Sequence, residues 1–208
     1  VVQNPSAMVK LETGIHVYGG FARYETKYNY KDLSPSMSSE TLEYHRDNLA
    51  AGYVKKFNNN EGDKDFNEAG AFLHNIFFPQ LQKPSGRNKP HGPSLEIIND
   101  NWENFSNFCE EFKSIAMGIQ GSGWVYLARD GKIKTIKNHQ IKNDIVLLVD
   151  WWEHAWALDY QSDKAKYLNN IWKIINWEVI NDRLNIKKSS KYRHRQISNF
   201  YNEINYER

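Results

Sequence analysis

The segment Asp150-Trp151-Trp152-Glu153-His154 puts a carboxylate at the end of an apolar run and an imidazole four residues later. A strand end would fix the aspartate. The first turn of a following helix would bring the histidine back beside it, which suits two ligands of one metal ion. The same spacing also suits an aspartate that caps a helix beside a partly buried histidine. His45 and His74 add weight to the metal reading, since each has apolar neighbours at helical steps: Leu42 and Leu49 around His45, Ala71 and Phe78 around His74. Two such histidines on antiparallel helices, next to a strand-end Asp–His pair, predict a site of three imidazoles and one carboxylate. Nitrogen and oxygen donors without sulfur suit iron or manganese, and zinc also accepts them.

These residues need elements to hold them. Ser38-Ser39-Glu40 reads as a helix start, and helical spacing runs from Leu42 through His45, Leu49, Tyr53 and Phe57. Asn58 to Gly62 breaks that helix, and a second runs from about Asp65 to Phe78, ending at Pro79. The pair predicts a helical hairpin. Residues 23–34 read as an irregular lead-in and 83–94, with three prolines and two glycines, as a linker. Ser94 to Ile119 reads as one or two helices, and Gly121-Ser122-Gly123 as a turn. Strands follow at Trp124–Ala128, Ile133–Ile136 and Ile145–Val149, with a hairpin turn at Arg129–Lys132. Helices are expected at about 151–160, 164–175 and 178–184. The fold class is α+β: a helical hairpin lobe over 27–88, then a lobe over 89–186 with a small, about three-stranded antiparallel sheet flanked by helices. Residues 1–26 form an extension and 187–208 a polar tail.

Composition narrows the function. The chain has 208 residues, 27 Lys+Arg against 25 Asp+Glu, and a formal net charge of +2, so nothing electrostatic favours nucleic acid or an anionic membrane as partner. Mean hydropathy is −0.75 and no apolar run nears the ~18 residues that span a bilayer. A single cysteine, Cys109, excludes a disulfide framework and a cysteine-only metal site. The first residues, Val1–Ala22, lack the basic-then-apolar order of a secretory signal, which favours a cytoplasmic location and leaves a trimmed leader open. Lys187, Lys188, Lys191, Arg193 and Arg195 read as a solvated tail rather than a nucleic-acid surface. His16, His91 and His194 read as solvated.

With Asp150 to Ala155, Leu158-Asp159-Tyr160 and Trp172 to Trp177 in view, the chain resembles the iron/manganese superoxide dismutase family. Gly121-Ser122-Gly123-Trp124 matches that family's glycine–tryptophan turn. Glu43-Tyr44-His45, with Tyr53 eight residues on, matches its first ligand helix, and Leu73-His74-Asn75 its second. The resemblance spans roughly residues 27–185. It implies one iron or manganese ion per chain bound by His45, His74, Asp150 and His154, and conversion of superoxide to oxygen and hydrogen peroxide. It implies a phenol near the open side of the metal at Tyr53, walls at Trp124 and Trp152, and a homodimer or higher assembly in which Glu153 reaches the ligand histidine of the other subunit. The catalytic group it implies is Tyr53 together with His139.

The departures carry as much information. Four residues after the first ligand the family usually has a histidine, and this chain has Leu49. That histidine normally meets a tyrosine from the partner subunit, at the position of Ala157. Both halves of a polar bridge are thus replaced together, which avoids stranding one buried polar group. A catalytically poor metal-binding homologue is the alternative reading. Gly70, four before His74, stands where one branch has a glutamine that bonds the metal-bound solvent. His139 is expected to take that role and fill the space beside Gly70, with Gln140 as the alternative. Three histidines and an aspartate leave too few open positions for a mononuclear oxygenase.

Overall fold

A computed structural model describes residues 15–18, 21–24 and 28–185. Strands β1 (Ile15–Tyr18) and β2 (Phe21–Tyr24) pair antiparallel, with Ile15 opposite Tyr24 and Tyr18 opposite Phe21. Of the irregular lead-in expected over 23–34, residues 23 and 24 are strand and Tyr30–Leu33 form a 3-10 turn, while 25–27 lie outside the described residues. Both strands are rich in β-branched or aromatic residues, and Gly19-Gly20 separates them in the sequence, the spacing of a two-residue hairpin.

Helix α1 (Ser39–Glu43) starts at Ser38, whose hydroxyl accepts from the Thr41 amide. It continues into a π-helical stretch, Tyr44–Ala50, and then into α2 (Ala51–Asn58). The predicted helix is therefore continuous but widened around His45, the kind of irregularity that gathers at functional sites. Helix α3 (Lys64–Phe77) is capped by Asp63, which accepts from the Phe66 amide at 2.9 Å. It is buried along most of its length, and Pro79 turns it into a 3-10 turn, Phe78–Gln80. Helices α2 and α3 pack together.

The stretch from Ser94 to Ile119 divides into α4 (Pro93–Trp102) and α5 (Phe105–Met117). Glu103 with φ 68 and the capping side chain of Asn104 separate them. The sheet has strand order β4-β3-β5, all antiparallel: β3 (Gly123–Ala128), β4 (Ile133–Lys137) and β5 (Ile145–Asp150). Strands β3 and β5 are buried on both faces, and Trp124 pairs with Asp150 across them.

The helix expected over 151–160 is two short pieces, a 3-10 turn at Glu153–Ala155 and α6 (Ala157–Tyr160). The cause is local. The Trp151 amide still bonds the sheet at Gly123 O, and the Trp152 amide bonds Asp150 Oδ1 at 2.8 Å, so no helix can begin before residue 153. Helix α7 (Lys164–Ile171), a 3-10 turn at Trp172–Ile174 and α8 (Trp177–Asn185) complete the described chain. The core is notably aromatic, with Trp124, Trp151, Trp177, Phe77, Phe78, Phe108 and Phe112 fully buried. Among the described residues no helix is long and apolar enough to cross a membrane.

Candidate metal centre

Three elements converge on one point. The π-helical stretch brings in His45, α3 brings His74, and the end of β5 with its following turn brings Asp150 and His154. Asp150 Oδ2 lies 3.0 Å from His45 Nε2, 3.1 Å from His154 Nε2 and 3.5 Å from His74 Nε2. His45 Nε2 and His74 Nε2 are 3.0 Å apart. The four ligand atoms lie within 4.8 Å of one another. Ligands about 2.1 Å from a common ion stand roughly 3.0–3.6 Å apart, and the three separations from Asp150 Oδ2 and the one between His45 and His74 fall in that range.

The donor chemistry fits an ion as well. His74 Nδ1 donates to the Gly70 carbonyl at 2.7 Å, so in the neutral ring Nε2 carries a lone pair aimed at the cluster. Burial and the neighbouring His154 lower His45 to a pKa of about 4, and burial with His45 beside it takes His74 well below the ordinary value. Burial pushes Asp150 up, but His154 and His45 outweigh it and hold the carboxyl far below the usual range. His45 and His74, held neutral beside the ionised Asp150 carboxylate, present lone pairs and a negative charge to a cation.

The other residues singled out by sequence surround this cluster. Tyr53 stacks on His74 with ring centres 5.5 Å apart, and burial, then Asp150, raises its pKa to about 12. His139 is buried. It stacks on Trp152 at 4.4 Å and meets Tyr53 edge-on at 4.8 Å. Trp124 Nε1 donates to His139 Nδ1 at 3.1 Å. An indole nitrogen only donates, so in the neutral ring Nδ1 accepts and the proton sits on Nε2. That Nε2 is buried with no partner among the described residues. Gln140 is exposed. The space over Gly70 holds the Tyr53 ring rather than His139, since a side chain on Gly70 would meet that ring. Glu153 is exposed, Leu49 and Ala157 are half-buried, and His154 keeps 12% of its side chain accessible.

Phe66 was not singled out by sequence. Its ring lies 4.7 Å from His139, 5.9 Å from Tyr53 and 6.2 Å from Trp152, closing the outer side of the cluster. An aromatic in a first helical turn reads as a boundary residue, and only the fold puts it here.

Residues 90–183 match the family model for the C-terminal domain of iron/manganese superoxide dismutases. A Plasmodium falciparum protein named superoxide dismutase (Fe) is 34% identical over 79% of this chain and 96% of its own length. A protein of the same name from Bacteroides fragilis is 33% identical over 76% of this chain and 95% of its own. The corresponding figures for one from Pyrobaculum aerophilum are 31%, 76% and 88%.

Proposed function

The chain belongs to the iron/manganese superoxide dismutase family, and from that premise we infer that it converts superoxide to oxygen and hydrogen peroxide at one iron or manganese ion. The observation that carries the reading is the convergence of His45, His74, Asp150 and His154 on one point. When bound, the ion supplies one-electron chemistry between its divalent and trivalent states.

The chain's own residues do the rest. The Asp150 charge, unopposed by the neutral His45 and His74, favours the more highly charged ion. The His139 Nε2–H, fixed by the Trp124 bond on the opposite nitrogen, offers a donor to an oxygen of solvent or substrate at the site. A donor in this place favours the more basic oxygen species, and so biases the redox balance. Tyr53, held in its neutral phenol form, keeps a proton available at the mouth. Phe66, Trp124 and Trp152 narrow that mouth against bulk water. The 27–88 and 89–186 lobes each contribute two ligands, so the site requires both. The chain acts as a homodimer through Glu153, and Gln140 takes no part.

Metal analysis of purified protein, with superoxide turnover after reloading by iron or manganese, tests the reading. We expect about one ion per chain and activity that returns with metal. His139→Gln keeps an acceptor for Trp124 and a donor for the site, and should retain more activity than His139→Ala. Metal bound elsewhere after His154→Ala, at unchanged stoichiometry and thermal stability, would overturn the ligand assignment.

A further inference from the structure

A glycine in the middle of a helix is ordinarily a cost, because it loses more backbone freedom than any other residue. Gly70 sits mid-way along α3, buried, with ordinary helical geometry, so no backbone strain calls for it. What calls for it is the neighbour. A Cβ built at Gly70 would fall 2.8 Å from Tyr53 Cγ and 2.9 and 3.0 Å from the two Cδ atoms, closer than side chains approach. The phenol lies directly on the bare backbone of α3. From there it stacks on His74 at an interplanar angle of 29° and meets His139 at 82°.

We propose that Gly70 is a positioning residue for the reaction: its missing side chain seats the Tyr53 ring between His74 and His139. The same residue's carbonyl accepts from His74 Nδ1, so one peptide unit sets both a ligand's tautomer and the seat of the phenol. A rigid aromatic ring clamped between α3 and His139 has no flexible end with which to evade an added methyl, so any larger residue at 70 must move the ring. The inference rests on Tyr53 lining the mouth of the metal site.

A double-mutant cycle on metal-free protein reads the packing alone. Gly70→Ala should lower the melting temperature in the wild-type background, against its helix propensity. In the Tyr53→Ala background, where the ring is gone, the same change should raise it by about 2–4 °C, the value of the recovered propensity. Should Gly70→Ala fail to fold, recovery of folding in Gly70→Ala/Tyr53→Ala supports the proposal equally. A Gly70→Ala protein more stable than wild type overturns it, as does a double variant that fails to fold where Tyr53→Ala folds. A second cycle reads the function of the seat: azide, a small monoanion, is titrated optically into metal-loaded protein. Gly70→Ala should shift azide affinity several-fold with Tyr53 present and leave it unchanged in the Tyr53→Ala background. An equal shift in both backgrounds means that Gly70 does not act through Tyr53. Failure to load metal would count against the ligand assignment and leave the first cycle standing.

Discussion

Protonation is where single residues decide behaviour. His45 and His139 are pushed down to about 4, chiefly by burial, and His74 lies well below its ordinary value. An unfolded histidine titrates near 6.5. Between those values the unfolded chain binds more protons than the folded one, so stability rises with pH across this window. The contribution is complete above about pH 6.5 and is lost as pH falls towards 4; Asp150, also depressed, adds further loss below that. Each unit of depression is worth about 1.4 kcal/mol. With three such imidazoles, metal-free protein should therefore lose on the order of 5 kcal/mol between pH 7 and pH 5. Urea midpoints at the two pH values measure it, and equal midpoints would show that the three imidazoles are not buried neutral. Metal-loaded protein should release its ion over the same window, because protons compete for the same nitrogens.

At the scale of elements, the site depends on how α3, β5 and α8 are tied. The Gln80 side chain bonds both polar groups of Leu148 in β5. Arg183 of α8 donates to Gln80 Oε1 at 2.9 Å, Val146 O at 3.0 Å and Ile76 O at 2.8 Å. The helix that carries His74 and the strand that ends in Asp150 thus share one guanidinium. Arg183→Ala leaves three acceptors short of a donor and should cost on the order of 3 kcal/mol. It should also speed metal loss on dialysis against a chelator. Unchanged denaturant midpoint and metal retention would show that the clamp is dispensable. None of this was legible in the sequence, because Gln80 and Arg183 are 103 positions apart. The four residues of the candidate metal cluster were legible for the opposite reason. Asp150 and His154 are four apart at the end of an apolar strand, and His45 and His74 sit at helical steps among apolar neighbours. The three sheet strands announced themselves by β-branched runs and turn residues. The division of 151–160 was hidden because the Trp151 amide belongs to the sheet, a fact about the strand beside it. The occupant of the space over Gly70 was hidden because helical spacing says which residue lacks a side chain and not which neighbour fills the gap.

Among the described residues, one face of the centre carries exposed polar and apolar side chains. Glu153 is exposed and its carboxylate has no partner among the described residues, while His154 beside it remains partly accessible. Tyr44, next to His45 in sequence, is 51% exposed, and Leu158, four residues past His154, is 54% exposed. Large apolar side chains exposed so close to a buried charged cluster are what a protein interface covers. A two-fold contact would set Glu153 of each copy against His154 of the other, so the bridge would occur twice. Light scattering should then give twice the 24.4 kDa of one chain. Leu158→Glu should shift that mass towards a single chain, because a carboxylate in an apolar contact loses its hydration without gaining a partner. Leu49 and Ala157 supply a sharper test. In the resembled family a polar pair joins the subunits at these positions, and here both are apolar. Ala157→Tyr alone would bury a hydroxyl against Leu49 and should weaken the dimer about tenfold, near 1.4 kcal/mol. Leu49→His alone should weaken it similarly. The two together should restore at least the wild-type dissociation constant, since each polar group then finds the other. Additive weakening in the double variant would mean that the two positions do not face each other across the two-fold axis, and the dimer would need a different arrangement of the same exposed face.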